Sequence, residues 1–233
     1  MSTAVIDPTD GVTTEINERG PALSNAERDR AVERILYLAQ GAQIVVLCGS
    51  LPRGVPVELY GQLVEDLRRL GVTTVLDTEG EPLRVGTRSC PDLVTPNLTE
   101  AEELVGHEFA DDEDRLNGVR AIVELGARDA IITYESGCVA LLGGDAAERA
   151  AYRVWVEPRE PLSPVGAGDA FLAGYVAALY EHRSAEDCLR FATACGAESV
   201  RHVGAGVIDP REVERLLPEV SVERMAEPAF LSP

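Results

Sequence analysis

Apolar residues recur along this chain with two periods, and the alternation between them predicts most of its elements. Short β-branched or continuously apolar runs predict strands at Gln43 to Cys48, Thr73 to Asp77, Asp92 to Thr95 and Tyr152 to Val156. Asp129 to Thr133 and Cys138 to Leu142 predict a strand pair around Gly137. Helical spacing puts Ala31, Val32, Ile35, Leu36 and Ala39 on one face of a helix running to Gln40. Ser24 with Glu27 three residues later forms the capping box that opens it. Tyr60, Leu63, Val64 and Leu67 share the buried face of a helix over Val57 to Leu70, with Gly71 as its stop. Shorter helices are predicted at Thr99 to Val105 and Glu113 to Leu125. At the front, Thr3 to Asp7 and Val12 to Ile16 flank the turn-rich Asp7-Pro8-Thr9-Asp10-Gly11, which predicts a hairpin over 3–17. From Asp169 onward the chain reads as mainly helical, ending in an acidic, proline-containing tail over 218–233.

Strands that alternate with helices predict parallel β-α-β units: a three-layer α/β domain with a mostly parallel sheet, occupying 1–233 as one unit. In such sheets ligands bind beyond the carboxyl ends of the strands, so the strand-to-helix junctions are where chemistry is expected.

Composition narrows the partners. The net charge is −19, with 21 basic residues against 40 acidic ones, and every basic residue is Arg. That balance disfavours nucleic acid and anionic membranes as partners. A site for phosphorylated ligands must then be built locally, from backbone N–H groups, Arg and metal. The longest apolar runs, such as Ile44 to Cys48, are too short to span a bilayer, and a cytoplasmic location is expected. The five cysteines (Cys48, Cys90, Cys138, Cys188 and Cys195) lack any C-x-x-C pair and read as free, mostly buried thiols.

The segment that changes the picture most is Ser163-Pro164-Val165-Gly166-Ala167-Gly168-Asp169-Ala170-Phe171, followed by a run of small apolar residues. Two glycines where a helix must begin let the backbone approach a ligand closely. The free N–H groups of the first turn and the helix dipole make an anion site there. Asp169 stands at that helix start, where it either caps the helix or accepts a proton from an attacking hydroxyl.

The string Gly-Ala-Gly-Asp-Ala-Phe resembles the C-terminal signature of the ribokinase-like (PfkB) kinases. The resemblance implies that fold, with part of a small β lid near the N-terminus. It implies Asp169 as catalytic base, Gly166, Ala167 and Gly168 as anion hole, and ATP and Mg²⁺ as cofactors. It extends over most of the chain. Thr95-Pro96-Asn97-Leu98-Thr99-Glu100 carries the family's Asn-x-x-Glu, implying that Asn97 and Glu100 hold Mg²⁺ through water, although alone it reads equally as a capping box. Many relatives have Lys where Thr95 stands.

Gly49-Ser50-Leu51-Pro52-Arg53-Gly54-Val55-Pro56 is similar to a loop of the sugar-phosphate branch of the family. With Thr13-Thr14-Glu15-Ile16-Asn17-Glu18-Arg19-Gly20-Pro21 it points to substrates of the fructose 1-phosphate or tagatose 6-phosphate type. Gly49 and Ser50 are then expected near the substrate, with Arg53 as a phosphate partner by its charge. Thr133-Tyr134-Glu135-Ser136-Gly137 takes the place of the nucleotide loop, shortened and without its inner glycine. Thr133, Gly137 and, on a later small-residue helix, Thr193 are the expected ATP contacts.

The resemblance also implies that the family's first strands, its substrate-binding aspartate and its Gly-Gly-Lys-Gly-type motif are missing before Met1. A start assigned too late, a truncated relic, or a partner such as a second copy in a homodimer would each account for this. Three rival functions remain: a kinase for another sugar, nucleoside or vitamin; a non-catalytic nucleotide-binding fragment; and a dinucleotide-dependent dehydrogenase. The last is disfavoured because no G-x-G-x-x-G follows an early strand.

Overall fold

Residues 2–6, 13–17, 20–143, 149–158 and 161–225 are described by the computed structural model. Strands β1 (Ser2–Ile6) and β2 (Thr13–Asn17) pair antiparallel as a separate two-stranded sheet, so the hairpin forms close to where the pattern puts it. Its turn-rich pentad and residues 226–233 of the tail lie outside the described residues.

The main body is a seven-stranded sheet in the order β3-β4-β5-β6-β7-β8-β9. These are β3 (Ile44–Cys48), β4 (Thr73–Asp77), β5 (Leu93–Val94), β6 (Asp129–Tyr134), β7 (Gly137–Leu142), β8 (Ala150–Trp155) and β9 (Ser221–Met225). The sheet is parallel from β3 through β6 and antiparallel from β6 through β9, so it is mixed. Side chains alternate between its faces. Leu76, Val94, Ala130, Ile132, Val139 and Leu141 pack under one helical layer, and Val75, Leu93, Ile131, Cys138, Ala140 and Leu142 under the other.

The first layer holds α1 (Asn25–Ala39), α2 (Leu59–Arg69), α3 (Gly80–Arg88), α4 (Leu98–Val105) and α5 (Asp112–Leu125). The Ser24–Glu27 capping box opens α1, and α2 buries the four expected residues Tyr60, Leu63, Val64 and Leu67. The sequence pattern did not reveal α3. Its glycine and proline mask the helical period, and it forms because Gly86 seats it on β4. A Cβ at Gly86 would lie 2.5 Å from a Leu76 methyl.

The second layer holds α6 (Ala167–Tyr180), α7 (Ala185–Ser199) and α8 (Pro210–Leu216). The small residues after Asp169 let α6 and α7 touch almost backbone to backbone: a Cβ at Gly174 would come within 2.9 Å of Cys195 Sγ. The tail assignment needs correction, because Ser221–Met225 is an edge strand hydrogen-bonded to β8. Half-exposed and carrying charge, this segment becomes a strand only through its partner.

Glu198, at the end of α7, is a buried carboxylate, 1% exposed. It faces His202 Nε2 at 2.5 Å and accepts the Asp209 N–H at 3.0 Å, bracketing the loop over 203–208 from both sides. Glu198→Ala strips both groups of their partner and is expected to cost about 1–3 kcal/mol in urea denaturation. An unchanged midpoint would mean that the bracket contributes nothing.

Candidate active site

At the carboxyl ends of β3 to β6 a cleft of about 1160 Å³ runs from Ser50 and Leu51 to Thr193 and Val200. Single-ligand pockets hold about 300–1,000 Å³, so this cleft has room for two substrates. Its floor opens into a smaller polar pocket of about 250 Å³ lined by Asp77, Thr95, Asn97, Glu100, Thr133, Gly166, Gly168 and Asp169. Residues scattered from 77 to 169 in the chain thus converge on one point, because each ends a strand or begins the helix after it.

Gly166 is the N-cap of α6 and holds the left-handed conformation, φ 82°. The loop over 203–208 lies directly behind it: a Cβ there would sit 2.4 Å from Gly206 N and 2.7 Å from Ala205 Cα. Only glycine fits this turn. Ala167 spends its N–H on the Pro164 carbonyl at 3.2 Å, so the donors free to meet an anion belong to the rest of the first turn. Gly168 has open space around its Cβ position, and Asp169 is exposed at the pocket wall.

Asn97 and Glu100 form a reciprocal capping box on α4. The Asn97 side chain accepts the Glu100 N–H at 3.0 Å, and Glu100 Oε2 accepts the Asn97 N–H at 2.9 Å. The capping role is therefore real, yet both side chains also line the polar pocket. Burial, with Glu79 and Glu103 nearby, raises the Glu100 carboxyl above its usual range despite the Asn97 hydrogen bonds.

Sequence reasoning passed over Asp77, the last residue of β4. Burial, reinforced by Glu100 and Asp169, pushes its carboxyl up to about 6, and the Thr95 hydroxyl beside it offsets only part of this. A carboxylate ending a parallel strand was the available signal. A carboxyl that holds its proton more tightly folded than unfolded destabilises the fold as pH rises between the two values, here from about 4 to about 6. Asp77→Asn is therefore expected to stabilise the ligand-free protein at about pH 8, by at most about 3 kcal/mol. The gain should vanish at about pH 3.5. Thermal melts at both pH values, in chelator, check it.

Two features bear on nucleotide and metal. The buried hydroxyls of Thr95 and Thr193 have no well-aligned hydrogen-bond partner within the protein, and each lines one of the two pockets. Among the described residues no group of three His, Cys, Asp or Glu forms a ready-made metal cage. Separated carboxylates around a polar floor suit Mg²⁺, which keeps its waters and binds through one or two carboxylates together with phosphate oxygens.

Of the other expected contacts, Thr133 and Gly137 line the cleft. The glycine at 137 is also required structurally, since a Cβ would lie 1.9 Å from the Val154 carbonyl oxygen. Ser50 lines the cleft, and Gly49 (φ 83°) makes the turn that delivers it, accepting hydrogen bonds from the Tyr60 and Thr78 hydroxyls. Arg53 lies on the exposed part of the turn, outside the cleft wall. The five cysteines are free; Cys138, Cys188 and Cys195 are buried and Cys48 and Cys90 exposed.

A three-layer α/β fold with a helix start facing a large cleft at the strand ends is the architecture of small-molecule kinases. The chain belongs to the pfkB family of carbohydrate kinases, which it matches over residues 2–211. It is 31% identical over 215 residues to the 1-phosphofructokinase of Bacillus subtilis, covering 92% of this chain and 69% of that one. The crystal structure of Escherichia coli phosphofructokinase-2 in complex with potassium superposes with a TM-score of 0.83 at 25% identity. It covers 93% of this chain and 69% of that chain. Arabidopsis thaliana ribokinase, solved with ribose and ATP, shares the fold at a TM-score of 0.68 and 24% identity, over 93% and 68% of the two chains.

Proposed function

We propose that this chain transfers the γ-phosphoryl group of ATP to a hydroxyl of a sugar phosphate, of the fructose 1-phosphate or tagatose 6-phosphate type. The observation that carries this reading is the convergence of Asp169 and the start of α6 with Asn97, Glu100 and Asp77 on the floor of one cleft. The likeness to 1-phosphofructokinases and the Gly49-Ser50-Leu51-Pro52 loop at the far end of that cleft support the substrate class.

Asp169 accepts the proton of the attacking hydroxyl. The N–H groups of the first turn of α6 that follow Ala167, beginning with Gly168, hold the charge that gathers on the moving phosphoryl. Thr133, Gly137 and Thr193 hold the nucleotide along the cleft. Bound Mg²⁺ supplies neutralisation of phosphate charge, and Asn97 and Glu100, with Asp77 beside them, would hold it through water. Ser50 and the β1–β2 hairpin, acting as a lid, contact the sugar phosphate.

The test is ADP release with Mg-ATP and a panel of ketose phosphates, other sugars, nucleosides and vitamins. Turnover with one ketose phosphate supports the reading. A preference for an unphosphorylated sugar, a nucleoside or a vitamin replaces the substrate class. ATP binding without turnover on any acceptor counts against catalysis by this chain.

A further inference from the structure

The turn between β6 and β7 is formed by Glu135 and Ser136 and closed by the pairing of Tyr134 with Gly137. Ser136 O accepts the Val156 N–H at 2.9 Å, which ties the turn to β8, and Gly137 in turn pairs with Trp155. Residues directly opposite each other in a sheet share a face, so Tyr134, Gly137 and Trp155 form one cross-strand row. Its middle position carries no side chain and tolerates none, because a Cβ would meet the Val154 carbonyl oxygen. Two aromatic residues therefore flank a gap at the tip of the hairpin. Thr133, Tyr134 and Gly137 line the main cleft.

An Arg lies over each of the two rings. The Arg115 guanidinium is 4.6 Å from the centre of the Tyr134 ring, and that of Arg153 is 5.0 Å from the Trp155 ring. Both guanidiniums share one carboxylate. Asp112 Oδ1 accepts from Arg115 Nη1 at 2.6 Å, and Asp112 Oδ2 lies 2.7 Å from Arg153 Nε. Asp112 is the first residue of α5, whose start is fixed by its cap: the Asp111 side chain accepts the Glu113 and Asp114 N–H groups at 2.9 and 3.0 Å. One anchored carboxylate thus reaches from the helical layer to both rings.

Two guanidiniums from separate elements repel each other unless an anion stands between them, so this pair of stacked rings depends on Asp112. The three charged side chains are all partly buried, where such contacts are less screened than at the surface and reinforce one another. The place of the network also matters. It ends on Tyr134, next to Thr133 in the wall of the cleft, at a turn that has no side chain of its own at Gly137 to brace it. A turn already fixed in its bound pose loses less freedom when a ligand arrives.

We propose that Asp112 is a positioning residue for the nucleotide. Through Arg115 and Arg153 it fixes the Tyr134 and Trp155 rings on either side of Gly137, and so sets the pose in which Thr133 and Gly137 face the cleft. This rests on the reading of those two residues as nucleotide contacts.

Calorimetric titration with Mg-ADP, run below the melting temperature of each variant, tests the role without requiring turnover. Asp112→Asn keeps the side chain's size but has no charge to hold two guanidiniums. It is expected to weaken ADP binding by roughly three- to thirtyfold, the range of the cation–π contacts it releases. Tyr134→Leu should match it, while Tyr134→Phe keeps a ring face under Arg115 and should stay within about twofold of the unaltered chain. Because these groups act as a unit, the Asp112→Asn/Tyr134→Leu double variant should bind no more weakly than the weaker single variant. Unchanged ADP affinity in Asp112→Asn, with only the melting temperature lowered, overturns the proposal by making the network purely structural. Losses that multiply in the double variant also overturn it, since Tyr134 would then act independently of Asp112. If the unaltered chain binds no Mg-ADP, the nucleotide reading falls and this inference with it, an outcome distinct from an affinity that ignores Asp112.

Discussion

Asp169→Asn is expected to lower the rate of ADP release by about 10²–10⁴, the range that a positioned general base contributes. The substitution keeps the size of the side chain and its place in the first turn of α6, and Asp169 is exposed rather than part of the core. Folding should therefore be unaffected, and so should nucleotide affinity, because the first-turn N–H groups and Thr193 remain in place. The loss belongs in kcat. Calorimetric ATP titration alongside steady-state rates separates the two. A fall in ATP affinity with kcat intact would assign Asp169 to binding instead of proton transfer, and an unchanged rate would remove it from the mechanism.

The second large effect is expected at the glycines of the same turn, and the two should differ. Gly166→Ala forces a side chain into a left-handed conformation, at about 1–2 kcal/mol. It also drives a Cβ against the Gly206 N and Ala205 Cα positions, 2.4 and 2.7 Å away. The start of α6 must shift, and its donors then miss the phosphoryl. Loss of one such donor typically costs about 10²–10³ in rate. Gly166→Ala should thus lower both the melting temperature and kcat. Gly168→Ala meets nothing within 4 Å inside the protein and lies within the helix, where alanine gains about 0.5–1 kcal/mol over glycine. It should leave the fold as stable or more so, while its methyl group occupies open space at the wall of the polar pocket. Equal melting-temperature losses in the two variants would refute the asymmetry, and with it the claim that the loop over 203–208 braces Gly166.

The turn at Gly166 is held from outside its own segment. Gly166 supplies the turn, but the backbone of Gly206 and Ala205 keeps it from relaxing. The buried Glu198 in turn brackets that loop through His202 and Asp209. Preorganised donors act without reorganisation cost at the moment of reaction. Here the bracing of the turn comes from a segment some forty residues further along, in the connection between α7 and α8.

What could be read from the chain alone was whatever depends on short-range order. The 3.6-residue spacing of Tyr60, Leu63, Val64 and Leu67 had to become a buried helical face, and the Ser24–Glu27 box had to open a helix. Gly166 to Asp169 marked the start of a helix with free first-turn N–H groups, because two glycines at a strand-to-helix junction allow the turn that the structure then shows at Gly166, φ 82°. Asn97 with Glu100 was ambiguous in the sequence, and the structure shows the capping function at the rim of the pocket.

Other features became definite only when distant segments met. Asp77 is one carboxylate among forty acidic side chains until burial beside Glu100 and Asp169 raises its proton affinity. Helix α3 follows from the fit of Gly86 on Leu76, and β9 from pairing with β8; neither preference is strong enough to act alone. The place of β3 at one end of the sheet, among the described residues, is a property of the sheet order and of no single residue. Periodicity, caps and glycine turns are local and therefore written in the chain, whereas proton affinity, edge exposure and the closing of a cleft depend on which segments become neighbours, and only tertiary structure decides that.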